Sequence, residues 1–463
     1  MSYTVGKAVN PEKVFLTPSS LLEPRWDPSY YRGIGEFRRR IKICAAPIEK
    51  LDRSLALVQY GISERATEEA VGIPMLRMIN LQDDSWDLSN LKYIQMTSAE
   101  KKPYLLKAGD VLFNRTNSKE LVGKCGVFDL SGEYVFASYL IRIRLRPGAL
   151  LPDYVTAFLS SGLGRIQIDA VSRQIAGMTN INAEEIRGLS VPALKATEQW
   201  KVVRAWQAAI QKRDQTLSKA RGILASIDDV ILEELGIPQK SDPPNTIESR
   251  IFRRKLSEVT GGRLDPIGNQ EKRRRLEKAI HASRYRVTPL GKLVGTSKTL
   301  VDKIDEGQVY VGLENIVGNS GEFVSTVEKE SVGTAIQFRQ GQILFPKLRP
   351  YLNKTHLAMW SGVCSTEFHV FTPQGASGDY ITAFLRSRAI VGITSLLMTG
   401  NTLPRLQMAD IERLPVPVPP PDIQTSVCLQ IKGLYAKARA LREQARADLD
   451  KAKREIESLI LGK

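Results

Sequence analysis

Groups suited to catalysis are scarce in this sequence. It has three histidines, His281, His356 and His369, and four scattered cysteines, Cys44, Cys125, Cys364 and Cys428. None stand at the spacing of a metal site, so no structural metal is expected, and the cysteines read as reduced thiols. No run of about 18 or more apolar residues occurs, which leaves no candidate membrane span. The opening MSYTVGKAVNPEKVF lacks the apolar segment of a secretory signal. No GxxxxGK[ST] phosphate loop, GxSxG elbow or HExxH helix is present. Gly33-Ile34-Gly35 and Gly162-Leu163-Gly164 are isolated glycine pairs with little meaning. Asp242-Pro243-Pro244-Asn245 looks like the motif with which adenine methyltransferases hold a flipped base. Its fourth residue is not aromatic, so it cannot stack on that base, and no cofactor loop accompanies it.

Charge of one sign is abundant. Lys and Arg number 66 against 50 Asp and Glu, a net charge of +16. No disordered basic tail carries this excess, so it sits on folded surface. Nucleic acid is the leading partner for such a surface, because covering phosphates releases counterions. A generally basic soluble protein is the plain alternative.

The sequence also contains itself twice. Asp153-Tyr154-Val155-Thr156-Ala157-Phe158-Leu159 returns as Asp379-Tyr380-Ile381-Thr382-Ala383-Phe384-Leu385. Ala108–Phe113 (AGDVLF) is echoed by Gln340–Phe345 (QGQILF), and Arg25-Trp26-Asp27-Pro28 by Arg263-Leu264-Asp265-Pro266. Ile186–Pro192 returns as Ile411–Pro417. Each half ends in a long amphipathic stretch, Ala196–Leu235 and Asp422–Leu461. Val203, Trp206, Ile210, Leu217, Ala220, Leu224, Ile227 and Ile231 recur at alternating steps of three and four, with Arg213 the polar exception. Val427, Ile431, Leu434, Ala438, Leu441, Ala445, Leu449, Ala452, Ile456 and Leu459 do the same, and a shift of 225 places Ile431 on Trp206. This is the spacing of a coiled-coil seam. About 40 helical residues make a rod of roughly 60 Å. Gly236 and Pro238 stop the first helix, and the Pro-rich stretch 236–246 reads as a linker.

The expected division is a mixed domain over 1–194, a long helix over 195–238, a second mixed domain over 239–420 and a long helix over 421–463. The fold class is α+β, with two pseudo-repeated domains separated by an antiparallel coiled coil. Within each domain, strands are expected at Pro74–Asn80, Val111–Phe113 and Tyr134–Arg144, with their echo at Gly341–Phe345. Short helices are expected at Leu151–Gly162, Ala183–Gly188 and Glu271–Arg286.

Binding chemistry collects on loops. After the Val111–Phe113 strand come Asn114, Arg115, Thr116, Asn117 and Lys119, with Lys124 close behind. Arg and Asn read base edges, while Thr and Lys contact the backbone of a duplex. The second half offers Lys347, Arg349, Tyr351 and Lys354 after the matching strand. Arg173 and Arg405 precede the short helix of each half. Any single one of these also fits a solvated turn; their duplication favours a shared role. The basic clusters Arg38–Arg40 and Lys272–Arg275 suit phosphate contacts or a solvated face.

The duplicated plan resembles the specificity subunit of type I restriction-modification enzymes. The resemblance rests on GDVLFNRTN with its GQILF echo, the RWDP and RLDP openings, and VPALKATEQ and VPVPPPDIQ leading into the two long helices. It covers nearly the whole chain. It departs at Pro346, which stands where the first half has Asn114, and at Val191-Pro192-Ala193-Leu194, which lacks the proline pair present as Pro419-Pro420. The resemblance implies two target recognition domains that read a bipartite, asymmetric site on double-stranded DNA. It implies a non-catalytic, cytoplasmic chain without cofactor. Two modification subunits that use S-adenosylmethionine, and restriction subunits that use ATP and magnesium, would be its partners. The specificity chain of a related type II-like system, a stand-alone DNA-modifying enzyme and a structural adaptor remain alternatives.

Overall fold

A computed structural model describes residues 16–463 apart from 18, 20–21, 23–26, 83, 176–177, 240–245, 247–250, 256–264, 305–306, 326–332 and 401. Arg25-Trp26, Arg263-Leu264 and the Asp242–Asn245 motif lie outside the described residues. The chain divides into two compact units: Met1–Leu217 with Arg442–Lys463, and Ser218–Leu441.

Unit 1 is built on a four-stranded antiparallel sheet in the order Leu55–Tyr60, Leu140–Leu145, Val111–Asn114, Cys125–Val127. Every residue of Val111–Asn114 is buried, which is why Val111, Leu112 and Phe113 are apolar without alternation. Asp110 sits at the turn before it and takes both bonds of the Arg144 guanidinium, at 2.6 and 2.7 Å. Unit 2 repeats the sheet in the same order: Val294–Ser297, Phe368–Pro373, Ile343–Pro346, His356–Leu357. Each unit has a second sheet with one parallel pair, three-stranded in unit 1 with Val135–Phe136 beside Met75–Leu76, and four-stranded in unit 2 with Tyr310–Val311 beside Val363–Cys364.

The helices of the repeat occupy matching places. Pro152–Ser160 and Gly378–Leu385 lie in the two cores, and each is followed by a second helix, Gly162–Val171 or Arg388–Leu397. These second helices were not expected from the sequence. Nor was Pro28–Ile41, in which Arg38–Arg40 sit in the last turn. Asp27 caps it, Pro28 starts it, and Tyr30, Phe37 and Ile41 give it a buried stripe. Glu271–His281 ends five residues earlier than the sequence suggests. Among the described residues no single helix is long and apolar enough to cross a membrane.

The two long helices are Ala196–Glu234, of 39 residues, and Pro421–Leu461, of 41. Each unit holds the early turns of one and the late turns of the other. In unit 1, Val203, Trp206 and Ile210 share a core with Leu449, Ile456 and Ile460. Lys212 pairs with Asp448 at 3.0 Å, and Arg40 with Glu457. In unit 2, Ile227, Ile231 and Leu235 share a core with Val427, Cys428 and Ile431. Arg213, the polar entry in the seam, is buried and bonded to Asp214 and Ser85.

One repeated bracket fixes the start of each long helix. Gln199 accepts from the Leu151 N–H at 2.8 Å and donates to the Leu194 carbonyl at 2.8 Å. Gln424 accepts from the Ser377 N–H at 2.9 Å and donates to the Pro419 carbonyl at 2.8 Å. Beside them Tyr154 donates to the Pro192 carbonyl and Tyr380 to that of Pro417, at 2.8 and 2.6 Å. All four side chains are buried, so each bond also satisfies a group that water cannot reach. The first helix stops at Gly236, whose φ of +65° suits glycine, and the Ile237 N–H closes on the Leu232 carbonyl.

Candidate nucleic-acid interface

In each unit the central strand runs out into a loop held by the same backbone frame. In unit 1 the Arg115 N–H donates to the Tyr139 carbonyl at 3.0 Å, and the Arg115 carbonyl accepts from Ile181 at 2.9 Å. In unit 2 the Lys347 N–H donates to the Glu367 carbonyl at 2.8 Å, and the Lys347 carbonyl accepts from Leu406 at 2.9 Å. Thr116 then pairs with Asn180, and Leu348 with Arg405. A basic residue thus stands at one equivalent position in both units, and a second chain segment is sewn beside it. Exposed Met178 and Leu403 occupy matching places in those second segments.

The side chains around the frame differ. In unit 1 the Arg115 guanidinium lies over the Tyr60 ring, 5.0 Å from its centroid. The Tyr60 hydroxyl accepts from the Ala183 N–H at 3.0 Å, which fixes the ring. Asn114 is buried and donates to the Leu121 carbonyl at 3.1 Å, while buried Thr116 bonds the Asn180 side chain. These two hold the loop rather than face out of it. Asn117 is half-buried against Met78, its amide 3.4 Å from the sulfur. Lys119 is exposed, and its carbonyl takes an Arg165 bond at 2.6 Å. Lys124 is half-buried. Arg173 is exposed, pairs through its strand with Asn180, and meets Glu185 at 3.2 Å. In the sheet Arg173–Ile175, Met178–Asn180, Thr116–Asn117 the middle strand lies between Arg173 and Thr116, and its Asn180 pairs with both; Arg115 directly precedes Thr116.

In unit 2 a carboxylate organises the site. Arg405 grips Glu367 with two bonds, 2.6 and 3.1 Å, and this holds the Glu367 carboxyl below the ordinary range. The Lys347 ammonium donates to the Thr366 carbonyl at 2.6 Å, and burial lowers its pKa against the pull of Glu367. Arg349 is exposed in a left-handed conformation, φ +48°, and its N–H donates to the Pro404 carbonyl at 3.0 Å. Tyr351 is exposed beyond it. Lys354 is turned elsewhere, onto the Leu313 carbonyl at 2.8 Å. Lys347, Arg349 and Arg405 therefore come together, and Lys354 does not join them.

Sequence reasoning missed Tyr60 and Glu367, which decide how the basic side chains are presented. Tyr60 lies 55 positions from Arg115, and Glu367 lies 38 from Arg405, so no local pattern links them. Within the basic clusters Arg39 pairs with Glu36, Arg40 with Glu457, Arg273 with Glu277 and Arg275 with Glu271.

No family model matches the chain. It is similar to the EcoKI specificity subunit of Escherichia coli strain K12, a type I restriction enzyme subunit. Identity there is 27% over 179 residues, 38% of this chain and 38% of that one. It is also similar to a chain of Methanocaldococcus jannaschii named as the MjaX specificity subunit, with 19% identity over 425 residues, 89% of this chain and 92% of that one. The match thus spans under two fifths of the first relative and nearly all of the second. A chain of a solved type I restriction-modification system aligns over 89% of this one and 96% of its own length, with a TM-score of 0.46 and 11% identity.

Proposed function

We propose that this chain is the DNA-reading specificity subunit of a multi-subunit restriction-modification system. The observation that carries the proposal is the duplicated frame with unequal contents. The same backbone bonds present Arg115 beside an aromatic ring in unit 1 and Lys347 beside an Arg–carboxylate pair in unit 2. Equal frames with different side chains suit two different half-sites, hence an asymmetric bipartite target. The net charge of +16 supplies the sequence-independent attraction. Arg115, Asn117, Lys119, Lys124 and Arg173 serve one half-site, with Asn114 and Thr116 bracing them. Lys347, Arg349, Tyr351 and Arg405 serve the other, and Lys354 contributes charge.

The two long helices run antiparallel as a coiled coil and set the gap between half-sites. Support comes from each unit's core, where early turns of one helix meet late turns of the other. In this reading 1–194 and 239–420 are the recognition domains, and the helices at 195–238 and 421–463 join them. Two modification subunits bring S-adenosylmethionine, and restriction subunits bring ATP and magnesium; this chain itself performs no chemistry. The names of its relatives, specificity subunits of type I restriction enzymes, support a place in a multi-subunit enzyme.

The test is to map methylated adenines in cells expressing this chain with its neighbouring modification subunit. A two-part asymmetric motif is expected. Arg115→Ala should relax or abolish one part and leave the other, with a loss of about 1–3 kcal/mol in binding to the intact site. A motif without a gap, or methyl transfer by the purified chain alone, would overturn the proposal.

A further inference from the structure

The two units differ at one buried place beside the helix repeat. In unit 1, Thr156 and Trp206 converge on Asp84: the indole N–H donates to the carboxylate at 2.7 Å, and the Thr156 hydroxyl lies 3.2 Å from it, sharing its one hydrogen with the Asp153 carbonyl at 3.0 Å. The Val127 N–H reaches the other oxygen at 3.1 Å. Asp84 belongs to a tight hairpin, Leu81–Gln82 against Ser85–Trp86, and has a left-handed φ of +58°. An acidic loop is thereby clasped by a threonine and a tryptophan.

In unit 2 the counterparts of both residues, Thr382 and Ile431, line a cavity of about 490 Å³. Three buried polar atoms of its lining have no hydrogen-bond partner: Thr382 Oγ1, Trp360 Nε1 and His356 Nε2. Thr382 is 2% exposed and His356 4%. Buried groups of this kind are rare and call for an explanation. Two of them repeat the unit 1 chemistry, a threonine hydroxyl and an indole N–H needing an acceptor. The third is its complement. His356 Nδ1 lies 2.8 Å from the Gly321 carbonyl, so it carries the hydrogen, and burial keeps the ring neutral; Nε2 then offers a lone pair.

The charged groups around the cavity are Arg386, Lys432, Arg439, Glu322 and Asp379. Lys432 and Asp379 pair at 2.7 Å, which leaves two cations against one carboxylate. Val324 and Met359 are 49% and 61% exposed, an apolar rim beside the polar floor. A carboxylate is the acceptor that Thr382 and Trp360 lack, an N–H is the donor that His356 lacks, and an apolar neighbour suits the rim. An acidic polypeptide loop has that chemistry, as the Asp84 hairpin of unit 1 illustrates.

We infer that the Thr382–Trp360–His356 cavity of unit 2 is a docking site for an acidic loop of a partner polypeptide. An Asp or Glu side chain takes the hydrogen bonds of Thr382 and Trp360, and a loop N–H donates to His356 Nε2. The site is particular to unit 2, because unit 1 fills the matching place with its own Asp84.

The test titrates the full chain with a blocked tripeptide bearing aspartate between two leucines. The readout is the Trp360 indole N–H resonance, identified by its loss in Trp360→Phe. A saturable shift is expected, weakened about tenfold or more in Thr382→Val and by asparagine in place of the aspartate. Thr382→Val without peptide should melt at the same temperature or higher, since it removes a buried hydroxyl that has no partner. No shift at tens of millimolar peptide overturns the site. Equal binding of the asparagine peptide overturns the carboxylate. Lactate binding as tightly as the tripeptide means a free small acid and overturns the loop.

Discussion

Arg115 and Lys347 occupy the same backbone frame, yet they are held in different ways. Arg115 rests on Tyr60 with its charge uncancelled by that contact. Lys347 is tied to the Thr366 carbonyl, beside an Arg405 whose charge is largely spent on Glu367. The backbone bonds that build the frame involve no side chain, so they survive changes of residue that keep the N–H. Side chains on such a frame can diverge while the fold stays put. The same contrast recurs beside the long helices, where Trp206 and Asp84 fill a place that Ile431 and Thr382 leave as a cavity.

The strongest way to break this comparison is to equalise the two places beside the helices. Trp206 is fully buried, and Trp206→Ala should cost about 3–5 kcal/mol, with the Asp84 hairpin released. Ile431→Ala only enlarges an existing cavity and should cost nearer 2 kcal/mol. Urea unfolding of both variants checks the order. Equal losses would mean that the two places are packed alike.

Glu367→Gln sharpens the comparison of the loops. It frees Arg405 and removes the carboxylate beside Lys347, so unit 2 should come to resemble unit 1 in charge. Affinity for DNA of any sequence should rise, and the salt slope should steepen by about one. Filter binding across a salt series measures it. An unchanged slope would place Arg405 outside the contact surface.

A pH response of opposite sign is expected in the two units. Burial pushes the Asp84 carboxyl up to about 6. Its contribution to unit 1 is present at acid pH and is lost as pH rises through about 6. Burial pushes His369 down to about 4, with the ring stacked on Phe371. Unfolded chain takes a proton there first, so unit 2 loses stability as pH falls from about 6.5 toward 4. Hydrogen exchange read separately in each unit between pH 4 and 6.5 should show the divergence. His369→Phe should flatten the unit 2 trend, and a trend that persists would point to another group.

Much of the architecture was legible because it is written locally. The seams of both long helices repeat every three or four residues, and the helices begin and end within a residue of their expected bounds. The helix Pro28–Ile41 was not read from the sequence, although Asp27 and Pro28 mark its start, because Gly33, Gly35 and three arginines interrupt its apolar stripe. The candidate site was legible only in part. Its loops were found from the strand before them, while Tyr60 ends another strand and Glu367 sits in the turn between two others.

By itself the sequence determined the duplication, the two long helices and the strands that end in basic loops, because periodicity and repeated motifs depend on neighbours along the chain. Tertiary structure alone decided that Asn114 and Thr116 face inward while Arg115 lies on Tyr60, and that Arg405 closes on Glu367. It also decided that Thr382 lines a cavity where Thr156 meets a carboxylate. Those outcomes depend on which distant segments are brought side by side, and burial, pairing and pKa all follow from that proximity.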